Sequence, residues 1–154
     1  MIELELSGRG GHFMLKRHPM NLTLAAKIEA ANATLIAEGN LDAIGEFFTP
    51  DYVAHVTDED MPLGHGGLRK VIAMYRGAFP DLQVEVEILV EGKDRVAWQK
   101  RLRGTHQGAF KGFPPTGRPM VWREMVISQF REGLIAEEWF ITDLAERFLL
   151  ARKR

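Results

Sequence analysis

Cysteine is absent from the chain, tyrosine occurs twice, neither sign of charge is in excess, and no long apolar run is present. Without cysteine there is no disulfide, no thiolate nucleophile and no cysteine-based metal site, and nothing points to an oxidising compartment, so a cytoplasmic setting is expected. Twenty basic side chains against twenty-one acidic ones leave a formal charge of −1. So small a charge provides no long-range field to gather nucleic acid or an anionic membrane, and neither is expected as a partner. No run approaches the roughly 18 apolar residues of a membrane helix, and the N-terminal MIELELSGRGGHFMLKRHPM lacks the apolar centre of a secretory signal. The five histidines, His12, His18, His55, His65 and His106, have neither the i, i+4 spacing nor the paired carboxylates of a metal site. GHGG lacks the preceding strand and the spacing of a dinucleotide loop, and no serine-nucleophile motif occurs. Neither a metal nor a cofactor is expected.

What the chain has is apolar material: 45% of its 154 residues are hydrophobic, enough for one sizeable core and a single domain. At the N-terminus IELEL alternates like a strand and SGRGGHF reads as a link. Residues 1–19 are therefore an arm that pairs with a sheet edge or covers a pocket, or else a loose tail. NLTLAAKIEAANATLIAEGN places Leu24, Ile28, Leu35 and Ile36 near one helix face and stops at Gly39 and Asn40. NLDAIGEFFTP predicts a short second helix ending before Pro50, and GGLRKVIAMYRGAFPD a third ending at Pro80.

Hairpins follow. LQVEVEILVEGKDRVAWQKRLRG alternates on both sides of Gly92, with Val84, Val86, Ile88, Val96, Trp98 and Leu102 on one face. A loop of Gly92, Lys93 and Asp94 sets Glu85 opposite Arg101 and Glu87 opposite Gln99. VWREMVISQFREGLIAEEWFIT forms a second hairpin, with a three-residue loop Arg131, Glu132 and Gly133. In that register Val126 faces Glu138 and Glu124 faces Phe140. Trp122, Glu124, Val126, Phe130, Leu134, Glu138 and Phe140 then share one face, and Val121, Met125, Ile127, Ile135, Trp139 and Ile141 the other. Both faces are too apolar to meet water, so helices are expected over one and a second copy of the chain over the other, as a homodimer. TDLAERFLLARKR closes as a helix with Thr142 as N-cap. This order predicts an α+β fold: three N-terminal helices packed on a strongly curved antiparallel sheet, with a central cavity.

The segments AFPDL, GTHQG, PPTGR and EEW, with Asp143 after them, together resemble the SnoaL-like polyketide cyclase family, cone-shaped relatives of nuclear transport factor two. The resemblance runs from about Tyr52 to Leu144 and places the family domain at residues 20–154. It implies cofactor-free and metal-free chemistry in a cavity between helices and sheet, and a dimer on the convex face. In it the stretch GTHQGAFKGFPPTGR crosses the open end of the cone, glycines allowing close approach and Pro114 and Pro115 stiffening the crossing.

The family's activity is ring closure by an aldol step, in which a buried acid moves a proton beside a carbonyl. The resemblance puts the family's aspartate at Phe140 and its partner histidine at Val126, and neither can move a proton. Other groups must serve if the chemistry is kept. Glu124 lies among Trp122, Met125 and Val126, as a base with raised pKa or as a partner of Arg123, Lys100 or Arg101. Glu138 shares its face, as an acid coupled to Glu124 or a solvated rim residue. His106 is a pocket-mouth acid or a loop-fixing histidine. Tyr52, His55, Trp98, Trp122, Val126, Phe140 and Asp143 are candidates to bind a small hydrophobic substrate or ligand, Asp143 alternatively as a helix-start residue. The functions left open are a cofactor-independent cyclase-type enzyme acting on a small or polycyclic carbonyl compound, and a binding protein for a hydrophobic molecule.

Overall fold

The computed structural model describes residues 22–152; the arm at 1–19 lies outside them. Helix α1 (Leu24–Ala31) starts at Thr23, whose hydroxyl accepts the Ala26 N–H at 3.1 Å, the usual satisfaction of an orphan donor at an N-cap. It widens into a π-helical segment, Asn32–Ala37, where the buried Asn32 amide donates back to the Ile28 carbonyl at 2.9 Å. Gly39, at φ 70°, ends the segment as the sequence predicts. Here the Arg76 guanidinium packs so close that a Cβ on Gly39 would lie 2.5 Å from its Nε. Arg76 in turn donates to the part-buried helix-end carbonyl of Ile36 at 2.6 Å.

The second helix is shorter than expected: a 3₁₀ turn, Leu41–Ala43, and one turn of α2 (Ile44–Phe47). The chain then enters β1 (Phe48–Val56) and β2 (Glu59–Met61), two strands that the sequence pattern did not reveal. Pro50 hides β1, since a proline inside a run argues against a strand. The structure accommodates it with a register shift between Phe48 and Val53. Helix α3 (Gly64–Ala78) buries Leu68, Ile72 and Ala78 and ends before Pro80, as expected.

Four long strands complete the sheet: β3 (Gln83–Glu91), β4 (Arg95–Thr105), β5 (Pro119–Arg131) and β6 (Leu134–Thr142). The spatial order is β2-β1-β6-β5-β4-β3. All pairs are antiparallel except β1 with β6, which run parallel, so the expected antiparallel sheet carries one parallel seam. Glu85 lies opposite Arg101 and Glu87 opposite Gln99, as the pattern requires; a bulge between Ile88 and Val90 absorbs the mismatch near the turn.

The second hairpin departs from expectation. Its turn holds two residues, Glu132 and Gly133, both left-handed (φ 52° and 79°), the backbone of a type I′ turn. A further shift follows between Gln129 and Phe130. Val126 therefore faces Phe140 rather than Glu138; Glu138 faces Ser128, and Glu124 faces Thr142. A slip of two positions keeps each side chain on its face. Two residues change face through that irregularity: Ile135 moves from the convex face to the interior, opposite Phe130, and Leu134, expected inside, lies opposite the exposed Arg131.

One core cluster joins α1, β1, α3 and the sheet around Ile28, Tyr52, Ile72 and Trp98. A second gathers Phe79, Phe110, Trp122 and Phe148 beneath α4 (Leu144–Arg152). On the convex side Val121, Met125, Ile127 and Ile141 are exposed, Ile141 by 76%. No helix among the described residues is long and apolar enough to cross a membrane.

Candidate active site

Even-numbered residues of β4, β5 and β6 point into the concave side, because successive side chains of a strand alternate. Three rows result. Val96, Ser128 and Glu138 form one, Trp98, Val126 and Phe140 the next, and Lys100, Glu124 and Thr142 the third. With β1 and the helices they line an apolar cavity of about 160 Å³ that is open at one side.

The first row carries a convergent hydrogen-bond chain. Trp98 Nε1 donates to Ser128 Oγ at 2.9 Å, so the single serine proton goes to Glu138 Oε2. Tyr52 Oη donates to Glu138 Oε1 at 2.9 Å. Glu138 is 4% exposed. Burial raises its pKa above the ordinary carboxylate value, opposed by the Ser128 bond, the Lys100 charge and the Tyr52 bond, and reinforced by Glu124. A raised acid favours the fold while protonated. That contribution is full below the ordinary value of 4.5 and is lost as pH rises through the higher folded value. Burial, with the Glu138 charge and bond, also pushes the Tyr52 phenol well above 10.0, keeping it a donor at neutral pH.

In the third row Lys100 Nζ lies 3.2 Å from Glu124 Oε2, both side chains at most 10% exposed. The ammonium also sits 5.5 Å from the Trp98 ring and 5.7 Å from the Phe140 ring. Tyr75 of α3 also lines the cavity, and burial and then the Glu124 charge raise its pKa.

Of the residues singled out from the sequence, Tyr52, Trp98, Glu124, Glu138 and Phe140 meet at the cavity. Val126 is buried in the sheet between them. The others lie elsewhere. His106 is fully buried in the second cluster, its ring against Phe79 and Phe148, with Nδ1 accepting the Thr116 N–H at 3.3 Å. Its backbone closes the neck of the crossing loop by bonds to Arg118 and Gly117, the loop-fixing arrangement. Gly108 in that loop would bring a Cβ within 2.4 Å of the Gly77 carbonyl, which accounts for the glycine. Trp122 packs 4.6 Å from Phe79, away from the cavity. His55 sits on the convex side, stacked on Trp139 at 4.8 Å and bonded to Asp60 at 2.6 Å, and that bond raises its pKa. Asp143 opens α4, accepting the Arg123 N–H at 2.8 Å and the Arg147 guanidinium at 3.0 Å.

Three residues at or beside the cavity escaped the sequence reading as candidate site groups: Lys100, Ser128 and Tyr75. The signal for the first two was parity, since each is a polar residue at an inward position of an otherwise apolar strand. Among the described residues no group of three or more His, Cys, Asp or Glu is placed to hold a metal ion.

Comparison with solved structures gives the same architecture. IdmH from Streptomyces antibioticus, named as a candidate polyketide cyclase, shares 30% identity over 84% of this chain and 99% of its own, with a TM-score of 0.69. AclR from Streptomyces galilaeus, named as a candidate hydroxylase, shares 27% over 86% and 84%, with a TM-score of 0.70. A candidate polyketide cyclase from Acidithiobacillus ferrooxidans shares 22% over 88% and 99%; its TM-score of 0.74 speaks for the fold. No curated protein matches the sequence. The family model described as SnoaL-like polyketide cyclase matches residues 26–148, from within α1 into α4 and so around the whole cavity, and the chain belongs to that family.

Proposed function

We propose that this protein is a cofactor-independent enzyme that moves a proton at a carbon next to a carbonyl in a small hydrophobic substrate, with Glu138 as the base and Lys100 as the cation that meets the developing oxyanion. The observation that carries this reading is the buried Glu138 carboxyl, fixed by Tyr52 and Ser128, in one apolar cavity with the Lys100 ammonium. Glu138 would take the proton from carbon, the C–H electron pair would move into the carbonyl, and the resulting enolate oxygen would be stabilised by Lys100. The enolate carbon would then recover a proton or attack a second carbonyl and close a ring, the proton on Glu138 passing to the new alkoxide.

Glu124 is the weaker candidate, because its carboxylate is engaged by Lys100. Its part in this reading is to hold that lysine in place. The row between the two acids, Val126 and Phe140, is the one the family resemblance marks for the histidine and aspartate. In this chain, on this reading, the polar groups have moved one inward position along the strands to either side, about 7 Å each way. His106, His55, Trp122 and Asp143 have no part in it. Because IdmH and AclR carry different activity names on one architecture, the choice rests on side chains, not on fold.

The test is the pH profile of proton exchange. A base must be deprotonated, so kcat/KM should rise with pH through a value above 4.5, following the raised Glu138. A ligand that occupies the cavity without any exchange would instead favour the binding-protein reading.

We also propose that two chains pair through the convex face. Val121, Met125, Ile127 and Ile141 support this as an uncovered apolar surface. Sedimentation should give a dimer at micromolar concentration, and Ile141→Arg should shift it to monomer; a wild-type monomer would end this proposal.

A further inference from the structure

We propose that the cavity takes one ring-sized apolar molecule bearing a single acidic oxygen, a monocyclic carboxylate, phenol or enol, rather than a multi-ring compound. The size limit comes from the volume. At about 160 Å³ the space matches an engineered apolar cavity of about 150 Å³ that holds a single benzene. Its walls are large and mutually braced. Phe48 and Tyr52 pack edge to face at 4.8 Å, Trp98 is pinned through its indole to Ser128, and Phe140 fills the middle row. On the helical side the π-helical segment sets Leu35 and Ile36 against the same space.

The acidic oxygen follows from the donors. An ammonium has three N–H groups, and Lys100 gives Glu124 one short contact, at 3.2 Å. Tyr75, close enough to Glu124 to feel its charge, also lines the cavity. Lys111, on the crossing loop, also lines the cavity, sits 5.7 Å from the Phe110 ring and makes no salt bridge among the described residues. Glu124 takes one contact of Lys100, and both oxygens of Glu138 are already held by Tyr52 and Ser128, so the remaining Lys100 N–H groups, with the exposed Lys111 at the rim, are the donors left for an anionic oxygen. The ligand class rests on the proposed reading of the cavity as the site.

Calorimetry on the full chain with benzoate, benzyl alcohol and 2-naphthoate separates size, charge and turnover, since none of the three has an enolisable C–H and binding is read without catalysis. Benzoate should bind saturably and about tenfold tighter than benzyl alcohol, the worth of one charge-assisted hydrogen bond, and 2-naphthoate should not saturate. In the charge-neutral variant Lys100→Met/Glu124→Gln, chosen because Lys100→Met alone strands a buried carboxylate, the preference for benzoate should fall to about twofold or less. Naphthoate binding as tight as benzoate would overturn the size limit. Equal binding of benzoate and benzyl alcohol, or a preference that survives in the double variant, would overturn the acidic oxygen at Lys100. Benzoate binding by a protein that exchanges no substrate proton would leave this ligand class standing and remove the proposed chemistry.

Discussion

Glu138→Gln is expected to lower kcat/KM for proton exchange on a single-ring ketone such as phenylacetone by about 10²–10⁴, the usual cost of removing a positioned general base. Glutamine keeps the shape of the side chain and can still bond Tyr52 and Ser128, whose hydroxyls can each accept as well as donate. It cannot hold a proton taken from carbon. The fold should survive, because the substitution removes the cost of burying a charge, and the pH-dependent loss of stability attached to the raised acid should disappear with it. A thermal midpoint near that of the wild type together with the lost rate would place the effect in the chemistry. A variant with full rate would move the base away from Glu138.

Lys100→Met is expected to cost about 3–5 kcal/mol of stability in urea unfolding, since it leaves Glu124 as an uncompensated carboxylate in a cavity wall where both partners are at most 10% exposed. Lys100→Met/Glu124→Leu should recover most of the loss, to within about 1 kcal/mol of the wild type, because a buried pair replaced by apolar groups of similar size is often neutral or stabilising. The double variant then separates two roles. If Lys100 stabilises the enolate, the refolded pair should remain slow despite restored stability. A single variant that loses less than about 1 kcal/mol would show that water screens the pair as it does a surface one.

The sequence revealed more of the sheet than of the site, and the reason is the same in both. Alternation within Arg95–Thr105 and again within Pro119–Arg131 fixes the two faces of β4 and β5, and the structure keeps them. Register is set by single residues. The extra residue beside Gln129 and the two-residue turn at Glu132 and Gly133 leave hydropathy unchanged yet move Glu138 from Val126 to Ser128. That displacement changes the surroundings of Glu138, because Ser128 and Tyr52 hold it as a buried acid where the sequence also allowed a rim residue. Tyr52 itself sits on a strand concealed by Pro50, so its partner could not be foreseen. Glu124 was legible as a choice between base and ion-pair partner, and the cross-strand position of Lys100 favours the pair. His106 shows the opposite case: a histidine that ends a strand beside a glycine-rich loop resembles a mouth residue in sequence, while in space the loop folds back over it and the rings of Phe79 and Phe148 enclose it.

Deuterium uptake tests the central claim most directly. The wild-type protein, with chelator present and no cofactor added, would be incubated in D₂O with phenylacetone while proton NMR follows the hydrogens on the carbons next to the carbonyl. Glu138 acting as base with Lys100 at the oxygen predicts loss of those signals well above the buffer rate, saturating with ketone and suppressed by benzoate. Exchange no faster than in buffer, at a ketone concentration that fills the cavity, would contradict it.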